Sequence, residues 1–482
     1  MIPVAKWPWL LFTFMALFAL FGLLVLFSQS AAGGADNYSH YRIAKYAFQY
    51  PPLFLDHWGK PLFTVLTAPL AQFGFKGVQF FNFAAGLLAA FIAYLTARKL
   101  QFANAWLAII FTCFTPIYFI IMLSGLTEIL FSLILMASIC LFFHKRYLAS
   151  SILISLIIFS RTEGIVILPF FLIAYWVEKQ CKAIPFLLTG FLVFSVAGYF
   201  ALGDFWWFFT QNPYTGAKDI YGSGELTHFI SNSFIINGIP LTVLFALGTL
   251  SYVMEHIRFP DKRKQLLPEG ILILFIYLGY LAAHSVAWWQ GAGGSLGLIR
   301  VMAAVMPLAA IISLRGFNMV FDWLPVRAVT QATAKAIVIL LVVIVPFRMY
   351  DLPVRQDEPE KIIMKAAEWV KSNGLVANMI YYHHVYFIHL LDLNPFDPDT
   401  CHEKIPDVHD PGALMPEGSL LQWDAQFGPN EGRLPLQALT NNPRFRLLKV
   451  FKPDIPFQVL NGHNYEVYLF QRTRKDIEQN KG

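Results

Sequence analysis

Trp7–Phe27 reads WPWLLFTFMALFALFGLLVLF, a run of 21 residues without a charged side chain. A helix needs about 20 apolar residues to cross the hydrocarbon core of a bilayer, so this run is long enough to span it. The residues that follow, Ser28–Ala32, give only a weak cleavage signal, which favours a membrane anchor over a removed signal peptide. The chain is therefore predicted to be a membrane protein from its first helix onward.

Apolar runs of the same kind recur along the whole chain. The 482 residues are 57% hydrophobic and 14% charged, whereas about a quarter of the residues are charged in an average soluble domain. The runs predict a polytopic α-helical membrane protein with eleven spanning helices. These helices are predicted near residues 7–28, 78–97, 103–123, 126–143, 147–160, 164–177, 183–202, 234–255, 269–289, 298–314 and 335–348.

Basic residues lie in short loops between these runs, so the net charge of +6 is assigned to membrane topology rather than to nucleic-acid binding. If Lys6 is cytoplasmic, every second loop is basic: Arg98-Lys99, Lys145-Arg146, Lys179 with Lys182, Arg258 with Lys262-Arg263-Lys264, and Arg315 with Arg327 and Lys335. Cytoplasmic loops are enriched in Lys and Arg, which predicts a cytoplasmic N-terminus. An odd number of crossings then places the C-terminus outside.

The composition changes at about Asp351, where the long apolar runs end. An amphipathic helix is predicted over 360–372, and strands over 376–382, 419–423, 446–451 and 465–471, separated by turns rich in Pro, Asp and Gly. The chain is therefore predicted to divide into a transmembrane module, 1–350, and a small extracytoplasmic α/β domain, 351–482.

Two long loops are predicted on the outer side, about 28–78 and 203–233. The second contains Phe205-Trp206-Trp207-Phe208-Phe209, a sequence typical of a helix that lies in the headgroup plane. Loops of this length in a compact protein usually serve function, so candidate site residues are sought near them.

Placing an ionisable side chain within the membrane costs free energy, so such residues usually have a structural or functional role. Those at predicted outer helix ends are candidates for lining a cavity that opens to the outer face: Asp36, Asp56, His57, Lys60, Glu128, Arg161, Glu163, His284 and Arg300.

Each candidate also has a plainer explanation. Arg161 and Glu163 lie at the turn between two short helices, where they form either a structural ion pair or the floor of a wet cavity. Glu128 either stabilises a helix N-terminus through the macrodipole or contacts a polar substrate. His57 and His284 are either hydrogen-bonded structural histidines or cavity residues.

The first outer loop contains a pattern of residues that indicates a class of enzyme. Asp36 follows the first span, Tyr41 comes five residues later, and Lys60-Pro61-Leu62 follows about two dozen residues after Asp36. Near the end of the bundle, Arg300 precedes a helix within the sequence Gly297-Leu298-Ile299-Arg300-Val301-Met302. This pattern resembles the GT-C superfamily of membrane glycosyltransferases, and it is most similar to the bacterial protein O-mannosyltransferases and lipid A aminoarabinose transferases.

The resemblance implies a GT-C fold and an inverting transfer of a sugar from a polyprenyl-phosphate donor to an acceptor hydroxyl. It implies that Asp36 is the general base, that Lys60 holds the donor phosphate, and that Arg300 is a second phosphate contact. Tyr41 becomes a candidate for the substrate cavity. The implied partners are the lipid-linked donor, membrane lipid and a glycan, lipid or protein acceptor, at a bacterial inner membrane.

The sequence departs from the family where some members have two adjacent acids after the first span, because Asn37 follows Asp36 here. A single carboxylate is a poor site for Mg²⁺, so a divalent metal is only weakly indicated and no metal ligands are predicted. Asp56 either partly replaces the missing acid or pairs with Lys60. The alternatives to an enzyme are a transporter or flippase of a lipid-linked saccharide and a non-catalytic scaffold.

Overall fold

The computed structural model describes residues 7–213, 218–323 and 328–473. Lys6 and Arg327, parts of the predicted loop 203–233 and the end of the predicted domain 351–482 lie outside these ranges. The chain forms two compact units. The first comprises the described parts of Met1–Gly33, Ile43–Ala47 and Pro51–Arg355, and the second those of Gly34–Arg42, Phe48–Tyr50 and Gln356–Gly482.

Among the described residues of the first unit, seven helices are long and apolar enough to cross a membrane, which makes the chain a multi-pass membrane protein. They are Trp9–Phe27, Phe75–Lys99, Cys181–Leu202, Ile239–Arg258, Pro260–Gln290, Ile299–Trp323 and Val329–Met349. Four shorter apolar helices accompany them: Pro61–Ala71, Glu128–Phe143, Tyr147–Ser160 and Thr162–Val177. The helical membrane fold is confirmed, and the count of eleven crossings stays a prediction.

The predicted helix 103–123 is not continuous. It divides into Leu107–Cys113 and Pro116–Met122. Thr115 is extended, with ψ of 123°, because the proline ring that follows disfavours helical backbone at the preceding residue. The predicted helix 298–314 is also corrected, since it continues to Trp323 and contains Arg315, which was assigned to a loop.

The first predicted outer loop, 28–78, contains helices Ala35–Tyr46, Pro51–Leu55 and Pro61–Ala71. The described part of the second loop contains short helices, namely Trp207–Thr210, Lys218–Tyr221 and His228–Ser231. Helix Ser233–Asn237 follows and leads into the span that starts at Ile239.

Two spans of the first unit pack backbone to backbone. A methyl group added to Gly248 would collide with the carbonyl of Ile312, and one added to Gly316 would collide with the carbonyl of Leu244. Small residues at such a crossing let membrane helices approach closely and gain van der Waals contact. This contact fixes helices Ile239–Arg258 and Met306–Trp323 side by side.

The second unit is a small α/β domain with a five-stranded sheet in the order β2-β1-β3-β5-β4. Its strands are β1 Ile380–Tyr382, β2 Cys401–His402, β3 Leu420–Asp424, β4 Phe445–Phe451 and β5 Val467–Arg472. β1 is parallel to β2 and β3, whereas β5 is antiparallel to β3 and β4. The two-residue strand β2 was not predicted.

The helices of this unit are Glu358–Ser372, Val385–Leu391 and Gln437–Thr440. Asp357 caps the first by accepting a hydrogen bond from the Glu360 N–H at 2.9 Å, while the Glu360 carboxylate accepts one from the Asp357 N–H. The predicted helix 360–372 is thereby confirmed and begins slightly earlier than predicted.

Candidate active site

Glu128 owes its position to an unwound segment that two buried amides hold in place. Gln79 Nε2 donates to the Leu123 carbonyl at 2.6 Å, and Asn82 Nδ2 donates to the Ser124 carbonyl at 2.8 Å. These bonds satisfy backbone carbonyls that have lost their helical partners. Glu128 then begins a new helix with its side chain only 1% exposed. The N-terminal position predicted from the sequence is confirmed.

Arg161 joins Glu128 to the turn between the two short helices. Its backbone is extended between Ser160, where one helix ends, and Thr162, where the next begins. The guanidinium contacts Glu128 Oε1 at 2.8 Å and Glu163 Oε1 at 2.6 Å. It also donates to the Thr127 hydroxyl at 3.1 Å. The ion pair between Arg161 and Glu163 therefore exists, and it extends to a second carboxylate.

Tyr280 and His284 lie one helical turn apart, with ring centroids separated by 4.5 Å. His284 interacts electrostatically with Glu163 and Arg161, as does Tyr280. Yet the Tyr280 hydroxyl, His284 Nε2 and Glu128 Oε2 are buried and have no hydrogen bond of normal geometry within the described part of the chain. Buried polar atoms are rarely left unsatisfied, so three together indicate a place prepared for a polar ligand.

Lys60 stands at the end of a tight turn in the first loop. Asp56 Oδ1 accepts a hydrogen bond from the Gly59 N–H at 2.7 Å, which supports the turn. Lys60 itself has a left-handed backbone, with φ of 59°, and is 8% exposed. A non-glycine residue in this conformation is strained, and such strain concentrates at functional sites. The Lys60 charge acts on Glu163.

His57 packs against aromatic residues of the second outer loop. Its Nε2 lies 3.3 Å from the Trp207 carbonyl, and its ring packs against Trp207 and Phe208 at centroid distances of 4.8 and 5.4 Å. Burial lowers the pKa of His57, and the Lys60 charge lowers it further, against opposing contributions from the Trp207 carbonyl and Asp56. The imidazole is therefore neutral at pH 7 and connects the two outer loops.

Arg300 lies in the first turn of its span. Nη1 donates to the Gly33 carbonyl at 2.6 Å, and Nε is 3.8 Å from Glu128 Oε1. We define Lys60, Glu128, Arg161, Glu163, Tyr280, His284 and Arg300 as the Arg161 cluster. Lys60, Arg161 and Arg300 bring three cations into this cluster, and a concentration of cations suits an anionic ligand.

Asp36 and Tyr41 belong to the second unit, and the roles predicted for them stay predictions. Asp36 is in the first turn of helix Ala35–Tyr46, where the macrodipole favours a carboxylate. Tyr41 is buried and meets the His389 ring edge to face at 5.5 Å. The structure thus brings together six of the predicted residues: Lys60, Glu128, Arg161, Glu163, His284 and Arg300.

A second ionic cluster in the first unit contains Glu255, Glu269 and Arg315, and we call it the Arg315 cluster. Arg315 contacts Glu255 at 2.9 Å and Glu269 through a short hydrogen bond, and it stacks on Phe102 and Tyr252 at 5.0 and 5.7 Å. The adjoining cavity is only about 10 Å³, so this cluster is closely packed. Its charges were not predicted to meet.

Among the described residues, no group of three or more His, Cys, Asp or Glu side chains could hold a metal ion. Tyr280 and Thr127 are the site residues that sequence reasoning missed. Tyr280 could have been found from its spacing, because a residue four positions before His284 shares its helix face.

No protein-family model matches the chain, and no curated protein matches it. A similar solved structure is the crystal structure of ArnT from Cupriavidus metallidurans in the apo state, with a TM-score of 0.60 and 11% identity over 96% of this chain and 98% of that one. The chain has a GT-C fold. A second similar structure is that of the arabinofuranosyltransferase AftD from Mycobacteria, with a TM-score of 0.48 and 12% identity over 96% of this chain and 40% of AftD.

The match to ArnT spans both units of the chain. It confirms the predicted fold class, a helical membrane module of GT-C type with a small C-terminal α/β domain.

Proposed function

We propose that the chain is a glycosyltransferase that moves a sugar from a polyprenyl-phosphate donor to an acceptor hydroxyl, with inversion. The reaction takes place at the outer face of a bacterial inner membrane, with the N-terminus in the cytoplasm and the C-terminal domain outside. The acceptor is a glycan, a lipid or a protein. The observation that carries the proposal is a buried cluster that contains three cations and three polar atoms without a hydrogen bond of normal geometry among the described residues.

The cations of the cluster stabilise the leaving group. In the reaction, the acceptor oxygen forms a bond to the anomeric carbon while the bond from that carbon to the phosphate oxygen breaks. The phosphate leaves with the bonding electrons, so its negative charge grows in the transition state. Lys60 and Arg300 hold the phosphate and stabilise that charge, which is the largest single contribution in reactions of this kind.

Asp36 accepts the proton of the attacking hydroxyl. Its place in the first turn of a helix favours the carboxylate form, which a general base requires. Along the chain it follows Gly33 by three residues, and the Gly33 carbonyl accepts a hydrogen bond from Arg300. A single displacement with one base inverts the configuration of the anomeric carbon.

The three buried polar atoms without normal hydrogen bonds in the described chain bind the sugar of the donor. Glu128 Oε2 can accept a hydrogen bond from a sugar hydroxyl, the Tyr280 hydroxyl can donate or accept one, and His284 Nε2 can do either according to its tautomer. Arg161 and Glu163 act as positioning residues, because their ion pairs fix Glu128 and the turn between the two short helices.

The transporter alternative requires polar groups through the middle of the bundle. Arg300 and Arg315 belong to the same span, roughly 25 Å apart along the helix axis. The sequence between them, Val301–Leu314, contains no ionisable residue. An apolar stretch of this length favours an enzyme with its site at one end of the bundle over a path across it.

The proposal is tested by supplying candidate polyprenyl-phosphate sugars to the purified protein and measuring released polyprenyl phosphate. Asp36→Asn is expected to lower the rate about 10²- to 10⁴-fold, because it removes the proton acceptor. Asp351→Asn, an exposed acid outside the candidate site, is the matched control and should keep the wild-type rate. Equal rates for wild type and Asp36→Asn would contradict the role of Asp36. A scaffold would consume no donor at all.

A further inference from the structure

The C-terminal domain contains a cavity of about 180 Å³ that the proposed reaction does not use. It lies between the turn that follows β3 and the loop that precedes β5. Trp423 forms part of its floor, and Gln437, His463, Asn464 and Glu466 contribute polar side chains to its wall. The volume is below the roughly 300–1,000 Å³ of pockets for drug-sized ligands, and it suits a single small ring.

Hydrogen bonds across the two loops hold the cavity open. Asn461 Nδ2 donates to Asn430 Oδ1 at 2.5 Å, and Asn430 Nδ2 in turn donates to the Gln426 carbonyl at 2.5 Å. The Ala425 N–H donates to the Glu466 carbonyl at 3.0 Å. Because these bonds already fix both loops, a ligand would lose little affinity to loop ordering.

The floor is apolar and rigid. Trp423 is 4% exposed, its indole N–H donates to the Leu434 carbonyl at 2.8 Å, and Tyr468 meets its ring edge to face at 5.6 Å. Pro435 adds a second apolar surface to the wall. Such surfaces favour the carbon–hydrogen face of a ring ligand.

The rim is polar, and its groups suit a neutral ligand. Gln437, His463 and Asn464 are exposed at the mouth of the cavity. Glu466 accepts from Lys452 at 2.8 Å and from the Tyr468 hydroxyl, so its charge is balanced by the lysine. Burial opposes ionisation of Glu466, but these bonds and the lysine charge outweigh it and lower its pKa. The carboxylate is therefore an acceptor for hydroxyl donors at pH 7.

We infer that this cavity binds one neutral pyranose ring, with the ring face on the apolar floor and the hydroxyls on the polar residues of the rim, Gln437, His463, Asn464 and Glu466. A sugar combines an apolar face with several hydroxyl groups, and the cavity offers the complementary pair of surfaces. The inference rests on the proposed function for one point only, that the bound sugar belongs to the acceptor. The site would then select glycan acceptors rather than bare protein or lipid.

The test uses the full chain in a detergent without a sugar headgroup, because maltoside or glucoside detergents would compete. The probes are the methyl pyranosides of glucose, galactose and mannose, without donor, and binding is measured by saturation-transfer difference NMR. We expect a saturable signal with at least one probe. Asn464→Ala should weaken it about fivefold to tenfold, as expected for one lost hydrogen bond.

Two controls separate this cavity from other sites. His463→Ala should weaken binding, whereas His409→Ala, another exposed histidine of the domain, should leave it unchanged. Tyr280→Phe should also leave it unchanged, because Tyr280 contacts the sugar in the proposed donor site and not in this cavity. The absence of a saturable signal with all three probes, or equal binding by His463→Ala, Asn464→Ala and His409→Ala, would overturn the inference. Binding that depends on Asn464 in a protein that consumes no donor would support the cavity and contradict only the proposed function.

Discussion

The Arg161 cluster and the Arg315 cluster share two spans, Pro260–Gln290 and Ile299–Trp323, but they differ in how fully their polar groups are satisfied. Arg315 contacts two carboxylates and two aromatic rings, and almost no cavity adjoins it. The Arg161 cluster contains three cations, and three of its buried polar atoms have no hydrogen bond of normal geometry in the described chain.

This difference separates stability from function. A buried ion pair with every partner in place holds helices together and offers nothing to a ligand. A cluster that leaves buried polar atoms without hydrogen bonds lowers the stability of the ligand-free protein. Proteins retain such destabilising groups where the groups bind a ligand or take part in a reaction. The Arg315 cluster is therefore assigned to the fold, and the Arg161 cluster to the reaction.

The largest expected effect is on stability, at the Arg315 cluster. Arg315→Leu leaves the buried Glu269 without its cation and should lower the free energy of unfolding by about 3–5 kcal/mol, whereas Glu255 is partly exposed to solvent and adds little. Denaturant unfolding in detergent measures this loss. The fraction that remains folded should release polyprenyl phosphate at the wild-type rate.

A triple variant checks the cause. Arg315→Leu combined with Glu255→Gln and Glu269→Gln removes all three charges and should recover most of the lost stability, because no uncompensated charge remains. If the single variant lost activity in its folded fraction, the separation of the two clusters would be wrong.

A smaller effect is expected at Lys60, where the transfer rate should change rather than the stability. Lys60→Gly removes the ammonium group but suits the left-handed backbone, so the free energy of unfolding should change by less than about 1 kcal/mol. The transfer rate should fall about 10²- to 10³-fold, because one phosphate contact is lost in the transition state. Single-turnover kinetics with donor in excess measure the rate.

Lys60→Arg is the matched variant, since it keeps the charge in the strained backbone, and it should retain more activity than Lys60→Gly. Equal activity in the two variants would mean that the Lys60 charge has no part in the reaction.

The smallest effects come from two tyrosines, Tyr280 of the Arg161 cluster and Tyr252, whose ring stacks on Arg315. Tyr252 donates to the Leu266 carbonyl at 3.2 Å, so Tyr252→Phe should cost about 1 kcal/mol of stability and leave the transfer rate unchanged. The Tyr280 hydroxyl has no hydrogen bond of normal geometry in the described chain and interacts only electrostatically with Arg161, so Tyr280→Phe should change stability less than Tyr252→Phe but lower the transfer rate about tenfold. Thermal unfolding and turnover, measured on both variants, would show whether the two clusters differ as described.

The sequence predicted the fold class, the charged turn at Arg161 and the C-terminal helix and long strands, because hydrophobic periodicity and capping residues are local signals. It missed the break at Pro116, which a long apolar run concealed. It also missed the partners of Arg315, because Glu255 and Glu269 lie 60 and 46 positions away and only the folded helices bring them together. Helix packing brings together site residues that are far apart in the sequence. Local sequence patterns do not predict which of these residues meet.

The most direct test of the Arg161 cluster as the donor site is phosphorus NMR of polyprenyl phosphate, the proposed product, titrated into the detergent-solubilised protein. Wild type and Arg315→Leu are predicted to shift the phosphate resonance to the same extent and with the same saturation. Lys60→Gly and Arg300→Gln are predicted to weaken binding about tenfold or more each, since each loses a charged hydrogen bond. The same titration curve for Lys60→Gly, Arg300→Gln and wild type would contradict the assignment of the cluster to the lipid phosphate.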